Sequence, residues 1–206
     1  MIRNLVKFVV ILSVACLVIG GGVAALYGLY RGDIERRELR LKREAIDAVC
    51  PEGASVNPEH PIAGVPMAAD AVYAARDSAG RTVAYVAQGE AQGYSSVIKV
   101  MVGARAEDFS VIRIVVLSQQ ETPGLGATVA ETRSTWTLWQ KLFGSSEPEE
   151  WVNTFLDRFR GKRAEEFSEI HAITAATITS NATKRAVEQA IQHIRDAAGK
   201  KVREPV

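Results

Sequence analysis

The residues best suited to chemistry lie toward the C-terminus, in HAITAATITSNATKRAVEQA, His171 to Ala190. Thr174, Thr177, Thr179 and Ser180 stand there among alanines, just ahead of a segment with helical periodicity. The first amides of a helix have no acceptor within it, so one hydroxyl can cap them; Thr179, Ser180 and Asn181 each have the right chemistry. The same free N–H groups, with the helix dipole behind them, attract an anion such as a phosphate. Capping needs one hydroxyl and four are present, so on residue types alone both the cap and the phosphate seat stand.

Two further stretches have the composition of ligand-facing loops. SQQETPGLGATV, Ser118 to Val129, follows a β-branched run, and Gly124 and Gly126 flank Leu125, permitting tight turns and close backbone approach to a ligand. QGYSS, Gln92 to Ser96, is either a turn into a strand or a second such loop. Other chemistries are poorly served. His60, His171 and His193 are far apart, and no serine or cysteine sits in a nucleophile motif, which disfavours a hydrolase. Cys16 and Cys50 cannot make a four-thiolate site, so no metal centre is expected and any redox chemistry needs another cofactor. With 25 basic and 24 acidic residues and no aromatic interleaving of the bases, nucleic acid is not an expected partner.

These residues must be carried by a small set of elements. FVVILSVACLVIGGGVAALYGLY, Phe8 to Tyr30, has no charge and spans roughly 34 Å as a helix, enough to cross a bilayer. Its length and its closing Tyr27 and Tyr30 fit a retained transmembrane helix better than a cleaved signal. Gly20, Ala24 and Gly28 form a small-residue row suited to a neighbouring helix, or simply reflect membrane composition. DIERRELRLKREAIDAVC continues as a charged helix with Ile34, Leu41, Ile46 and Val49 as a sparse stripe, and a Pro- and Gly-rich connection follows. AVYAARDSAGRTVAYVAQGE reads as a hairpin turning at Asp77 to Gly80, and SSVIKVMVGA and SVIRIVVLSQQE as antiparallel neighbours. STWTLWQKLFG and EEWVNTFLDRFRG place Trp136, Trp139, Phe143, Trp151, Phe155 and Phe159 at helical spacing, as packing residues. A last helix runs from Asn181 to about Ala198, with Ala186, Val187, Ala190, Ile191 and Ile194 on one face. The expected class is α+β: a small antiparallel sheet with packed helices plus one N-terminal transmembrane helix, divided as anchor 1–30, juxtamembrane helix and linker 31–71, and folded domain 72–206.

TAAT followed by ITS resembles the flavinylation motif of FMN-binding domains, S/T-G-A-T, then a variable residue, then Thr or Ser. GYSSVIKVMVG and LSQQETPGLGA resemble the other two recurrent blocks of the G subunit of the Rnf electron-transport complex, in the same order and behind the same single membrane helix. The related C subunit of the sodium-pumping NADH:quinone reductase is similar but usually longer. The resemblance covers nearly the whole chain. It implies an α+β FMN-binding domain that relays electrons within a membrane complex exchanging electrons between ferredoxin and NAD and moving ions, with no independent catalytic site.

In that family a separate flavin transferase moves FMN from FAD onto the last Thr of the four-residue core, which here is Thr177. Thr174 and Ala176 match the first and third positions, and Thr179 and Ser180 the hydroxyl residues that follow. The resemblance further implies that Tyr94, Ser95, Glu121, Thr122, Gly124, Leu125 and Gly126 border the cofactor. Ala175 stands where the family usually has Gly, which matters if the position needs positive φ. His171 stands where an Asp is common. The implied location is the inner membrane with the domain on the periplasmic side, whereas the bases after the apolar run, Arg31, Arg36, Arg37, Arg40, Lys42 and Arg43, outnumber Arg3 and Lys7 before it and point to the cytoplasm. The family placement is preferred. The alternatives are a non-redox scaffold subunit and a flavin-dependent reductase of a small substrate.

Overall fold

The alternation in VIKVMVGA decides how the sheet is buried. Side chains leave a strand on opposite faces in turn. On β4 (Val97–Arg105) Ile98, Val100, Val102 and Ala104 enter one apolar cluster while Met101 enters a second. The computed structural model describes residues 2–130, 133–134 and 151–203. The expected helix across Trp136, Trp139 and Phe143 lies outside the described residues.

Around β4 the strands run as an antiparallel meander in chain order: β1 (Ser55–Val56), β2 (Val72–Arg76), β3 (Thr82–Gln92), β4 and β5 (Val111–Ser118). The β2–β3 turn falls where the sequence places it. Asp77 Oδ1 accepts the amides of Ala79 and Arg81, each at 2.9 Å, and Gly80 takes φ +78°. A short pair, β6 (Arg133–Ser134) with β7 (Trp151–Val152), stands apart from this sheet.

The C-terminal helix α2 (Thr177–Arg203) covers one face. Its Ala182, Ala186, Val187, Ala190, Ile191 and Ile194 are fully buried against Val100, Val102 and the aromatic group Phe155, Phe159 and Phe167. Each buried branched aliphatic contributes about 1.5–3 kcal/mol. Close approach of α2 depends on Gly89 of β3, where a Cβ would stand 1.9 Å from the Ala186 carbonyl oxygen. The aromatic segment is not the helix its spacing predicts. It forms a short 3-10 turn, Leu156–Phe159, that lets Phe159 meet Phe155 and Phe167 edge-on at 5.6 and 5.1 Å.

The chain divides into two compact units, Met1–Leu41 and Lys42–Val206. The first is most of helix α1 (Ile2–Val49), and α1 is the one helix among the described residues long and apolar enough to cross a membrane. The second begins well ahead of Val72, because the last turns of α1 belong to it. Ala45, Ile46 and Val49 are buried with Tyr73, Val86 and Met101 on the sheet's second face. Gly103 of β4 makes room there, since a Cβ would lie 2.2 Å from the Val49 carbonyl oxygen.

Candidate functional site

Three chain segments distant in sequence meet at the start of α2, and a buried carboxylate joins them. Glu121 is 6% exposed. Its Oε1 accepts the amides of Ser95 and Ser96 at 3.0 Å each and the Ser96 hydroxyl at 3.2 Å, while its Oε2 accepts the Thr179 hydroxyl at 2.8 Å. Ser96 Oγ in turn accepts the Gln120 amide at 2.8 Å. Burial pushes the Glu121 carboxyl up, but the hydrogen bonds from Thr179, Ser95 and Ser96 together outweigh it and hold the group below the usual carboxylate value.

Two glycines wall this carboxylate. A Cβ on Gly93 would lie 2.6 Å from Glu121 Oε1, and one on Gly126 would lie 2.6 Å from Thr179 Oγ1 and 2.7 Å from Glu121 Oε2. The loop between them turns at Gly124, φ +75°, with the amides of Leu125 and Ala127 both reaching the Thr122 carbonyl.

Beside the clasp lies a cavity of about 390 Å³, within the roughly 300–1,000 Å³ range of small-molecule sites. It is lined by Tyr94, Glu121, Thr122, Leu125 and Gly126 on one side and by the continuous run Ala175 to Thr179 on the other. Tyr94, Leu125 and Ile178 remain exposed at its rim, an arrangement able to sandwich a planar ligand.

The clustered hydroxyls have separate positions. Thr179 is buried and donates to Glu121. Ser180 is fully buried, turned from the cavity, and accepts the Ile173 amide at 3.0 Å. Thr174 is exposed but does not line the cavity. Thr177 is both exposed and cavity-lining. None of Thr179, Ser180 and Asn181 caps the helix, because α2 starts at Thr177, earlier than its apolar face alone predicts. The first backbone bond of the helix is Ser180 N to Ala176 O, 2.9 Å, so the amides without an intrahelical acceptor are those of Thr177, Ile178 and Thr179. All three residues line the cavity, and the run starts two residues before the 179–181 run expected from the sequence.

Of the other residues singled out from sequence, Ala176 lines the cavity, Ser95 acts through its amide on Glu121, and Gly124 supplies a turn. His171 is exposed and its carbonyl accepts from Arg158 at 3.0 Å. Sequence reasoning missed Ser96 and Ile178. Ser96 stands in the quoted GYSS block, but the count of bonds it makes depends on Glu121, which no local pattern announces.

Ala175 has φ +64°, in the left-handed region that costs a residue with a Cβ roughly 1–2 kcal/mol. Replacing it with glycine relieves that strain, partly offset by the greater freedom of glycine in the unfolded chain. Ala175→Gly is expected to stabilise the domain by about 0.5–1 kcal/mol, seen as a rise of a few degrees in the thermal unfolding midpoint.

Residues 93–192, from the glycine behind Glu121 to the middle of α2, match the FMN-binding domain family. The match lies within the unit that follows residue 41, and α1 is long and apolar enough to cross a membrane. Several known proteins are similar in sequence. The G subunit of the proton-translocating ferredoxin:NAD(+) oxidoreductase complex of Clostridium ljungdahlii is 24% identical over 199 residues, 92% of this chain and 91% of that protein. From Vibrio cholerae, the G subunit of an ion-translocating oxidoreductase complex is 28% identical over 197 residues, 89% of this chain and 87% of that protein. The corresponding G subunit of the Na(+)-translocating ferredoxin:NAD(+) oxidoreductase complex of Acetobacterium woodii is 36% identical over 117 residues, 56% of this chain and 51% of that protein. A crystal structure of NqrC from Shewanella oneidensis overlaps loosely, with a TM-score of 0.46 and 19% identity over 76% of this chain and 72% of that one.

Proposed function

We propose that this chain is the membrane-anchored flavoprotein subunit of an Rnf-type ferredoxin:NAD oxidoreductase complex, relaying electrons through FMN held covalently on Thr177. One observation carries the attachment site: among the four hydroxyls of the motif, Thr177 is the one both exposed and facing the cavity. The residues present fit the group. Free amides at the α2 N-terminus suit a phosphate, and Tyr94, Leu125 and Ile178 suit the two faces of an aromatic ring.

Attachment by a flavin transferase forms a P–O bond to Thr177 Oγ1 and breaks the pyrophosphate P–O bond of FAD. AMP leaves, and the hydroxyl proton passes to the transferase or solvent. The isoalloxazine then supplies one- and two-electron transfer, while the protein supplies binding and orientation. Thr177 would tether the phosphate, and the free amides of Thr177, Ile178 and Thr179 would stabilise its charge. Glu121 and Thr179 hold the helix start against the loop that bears Leu125. Thr122, Gly124 and Gly126 shape that loop so that Leu125 stays at the rim.

On this reading the domain lies on the periplasmic side of a bacterial inner membrane, where the transferase would act, with the other subunits of the complex as partners. What supports this reading is the family resemblance, set against a base count after the apolar run that points to the cytoplasm. The test is production alongside a competent flavin transferase. A fluorescent band that survives a denaturing gel is expected; a dark band leaves the scaffold reading.

A further inference from the structure

The cavity beside Thr177 contains a buried carboxylate with nothing of opposite charge among its described lining residues. Tyr94, Thr122, Leu125, Gly126 and the run from Ala175 to Thr179 are neutral, and Glu121 is the one charged residue of the described lining. The Ser95 and Ser96 amides can only donate, so Oε1 carries no proton, and three donors at that oxygen with a fourth at Oε2 favour the ionised carboxylate. All its partners among the described residues are neutral dipoles. They hold the charge in place without cancelling it as an Arg or Lys would, and at 6% exposure the side chain is screened less than a surface carboxylate. The positive end of α2 does not offset it for the ring, since those first amides face the phosphate on the proposed attachment.

We infer that Glu121 fixes a negative charge in the flavin pocket and thereby lowers the reduction potential of the bound flavin. The inference rests on the reading of the cavity as the FMN site. Reduction adds electrons to the ring, and a fixed anion in a poorly screened pocket opposes added negative charge. Glu121 is thus both the clasp that joins the loops and an electrostatic determinant of what the cavity holds.

The test compares full-length wild type, Glu121→Gln and Ser96→Ala, each made with a flavin transferase and titrated against redox dyes while flavin absorbance is followed. Glu121→Gln keeps the shape and an acceptor oxygen but removes the charge, so its midpoint potential is expected to shift upward. Ser96→Ala keeps the charge and removes one donor to it, so its potential is expected to shift downward. Simple loosening of the pocket would move both in the same direction, and that result overturns the inference. So does an unchanged potential in Glu121→Gln. A Glu121→Gln chain that folds but takes up no flavin overturns it as well, because the carboxylate then serves loading instead of tuning. If that variant does not fold, Ser96→Ala decides alone: a downward shift supports the inference and no shift overturns it. A wild-type chain without flavin instead removes the reading on which the inference rests.

Discussion

On the proposed attachment, Thr177→Val is expected to carry no covalently attached flavin, read by in-gel fluorescence and the mass of the 171–190 peptide, while the thermal unfolding midpoint of the protein without flavin stays close to that of wild type. Two facts set these opposite outcomes. The Thr177 hydroxyl makes no hydrogen bond to any described residue, so its removal breaks no contact, and the side chain is exposed. Exposed substitutions of this kind change stability by about 0.5 kcal/mol or less. Valine keeps the β-branched shape at the first position of α2, so the helix start is preserved. Attachment has no such tolerance, because it needs the oxygen. Flavin persisting on the variant would move the acceptor to Thr174, the other exposed hydroxyl of the motif; Thr179 and Ser180 are already engaged and buried.

The second large effect is on the fold. Gly89→Ala is expected to destabilise the domain by about 3 kcal/mol or more, lowering the unfolding midpoint by roughly 2–4 °C for each kcal/mol. The new methyl would stand 1.9 Å from the Ala186 carbonyl oxygen and 2.9 Å from both the Ala186 carbonyl carbon and the Ala190 amide. All three are backbone atoms of α2, so no side chain can swing aside, and the helix has to lift from β3. Gly199, also on α2, is the internal control. A Cβ there meets nothing within 4 Å, so the same change is not expected to cost stability. A Gly89→Ala protein as stable as wild type would mean that α2 does not pack on the sheet as described.

Period-two patterning was enough to read the strands. Val100 and Val102 alternate with Met101 and Gly103, and the Asp77–Gly80 turn is local chemistry, so both were visible in the sequence. The three motif blocks were visible as well, each as a loop with small or hydroxyl residues. Their meeting was not. The Thr179–Glu121 bond joins residues 58 apart in sequence, and no neighbouring residue encodes that distance. The start of α2 was misplaced for the same reason: its apolar face begins at Ala182, whereas its first turn is pinned from outside by Glu121. Phe155 and Phe159 have helical spacing, but they serve an aromatic group completed by Phe167, and packing overrode the local pattern.

Helix α1 ends with Ile46 and Val49 inside the sheet's second apolar cluster. The last turns of α1 are therefore part of the second unit's core and not a mere continuation of the apolar run. A graft that supplies a foreign anchor, or a truncation made for solubility, has to splice ahead of Lys42. Cutting at the first long strand would strip the cover from Tyr73, Val86 and Met101 and leave a sticky face on an otherwise complete flavin domain.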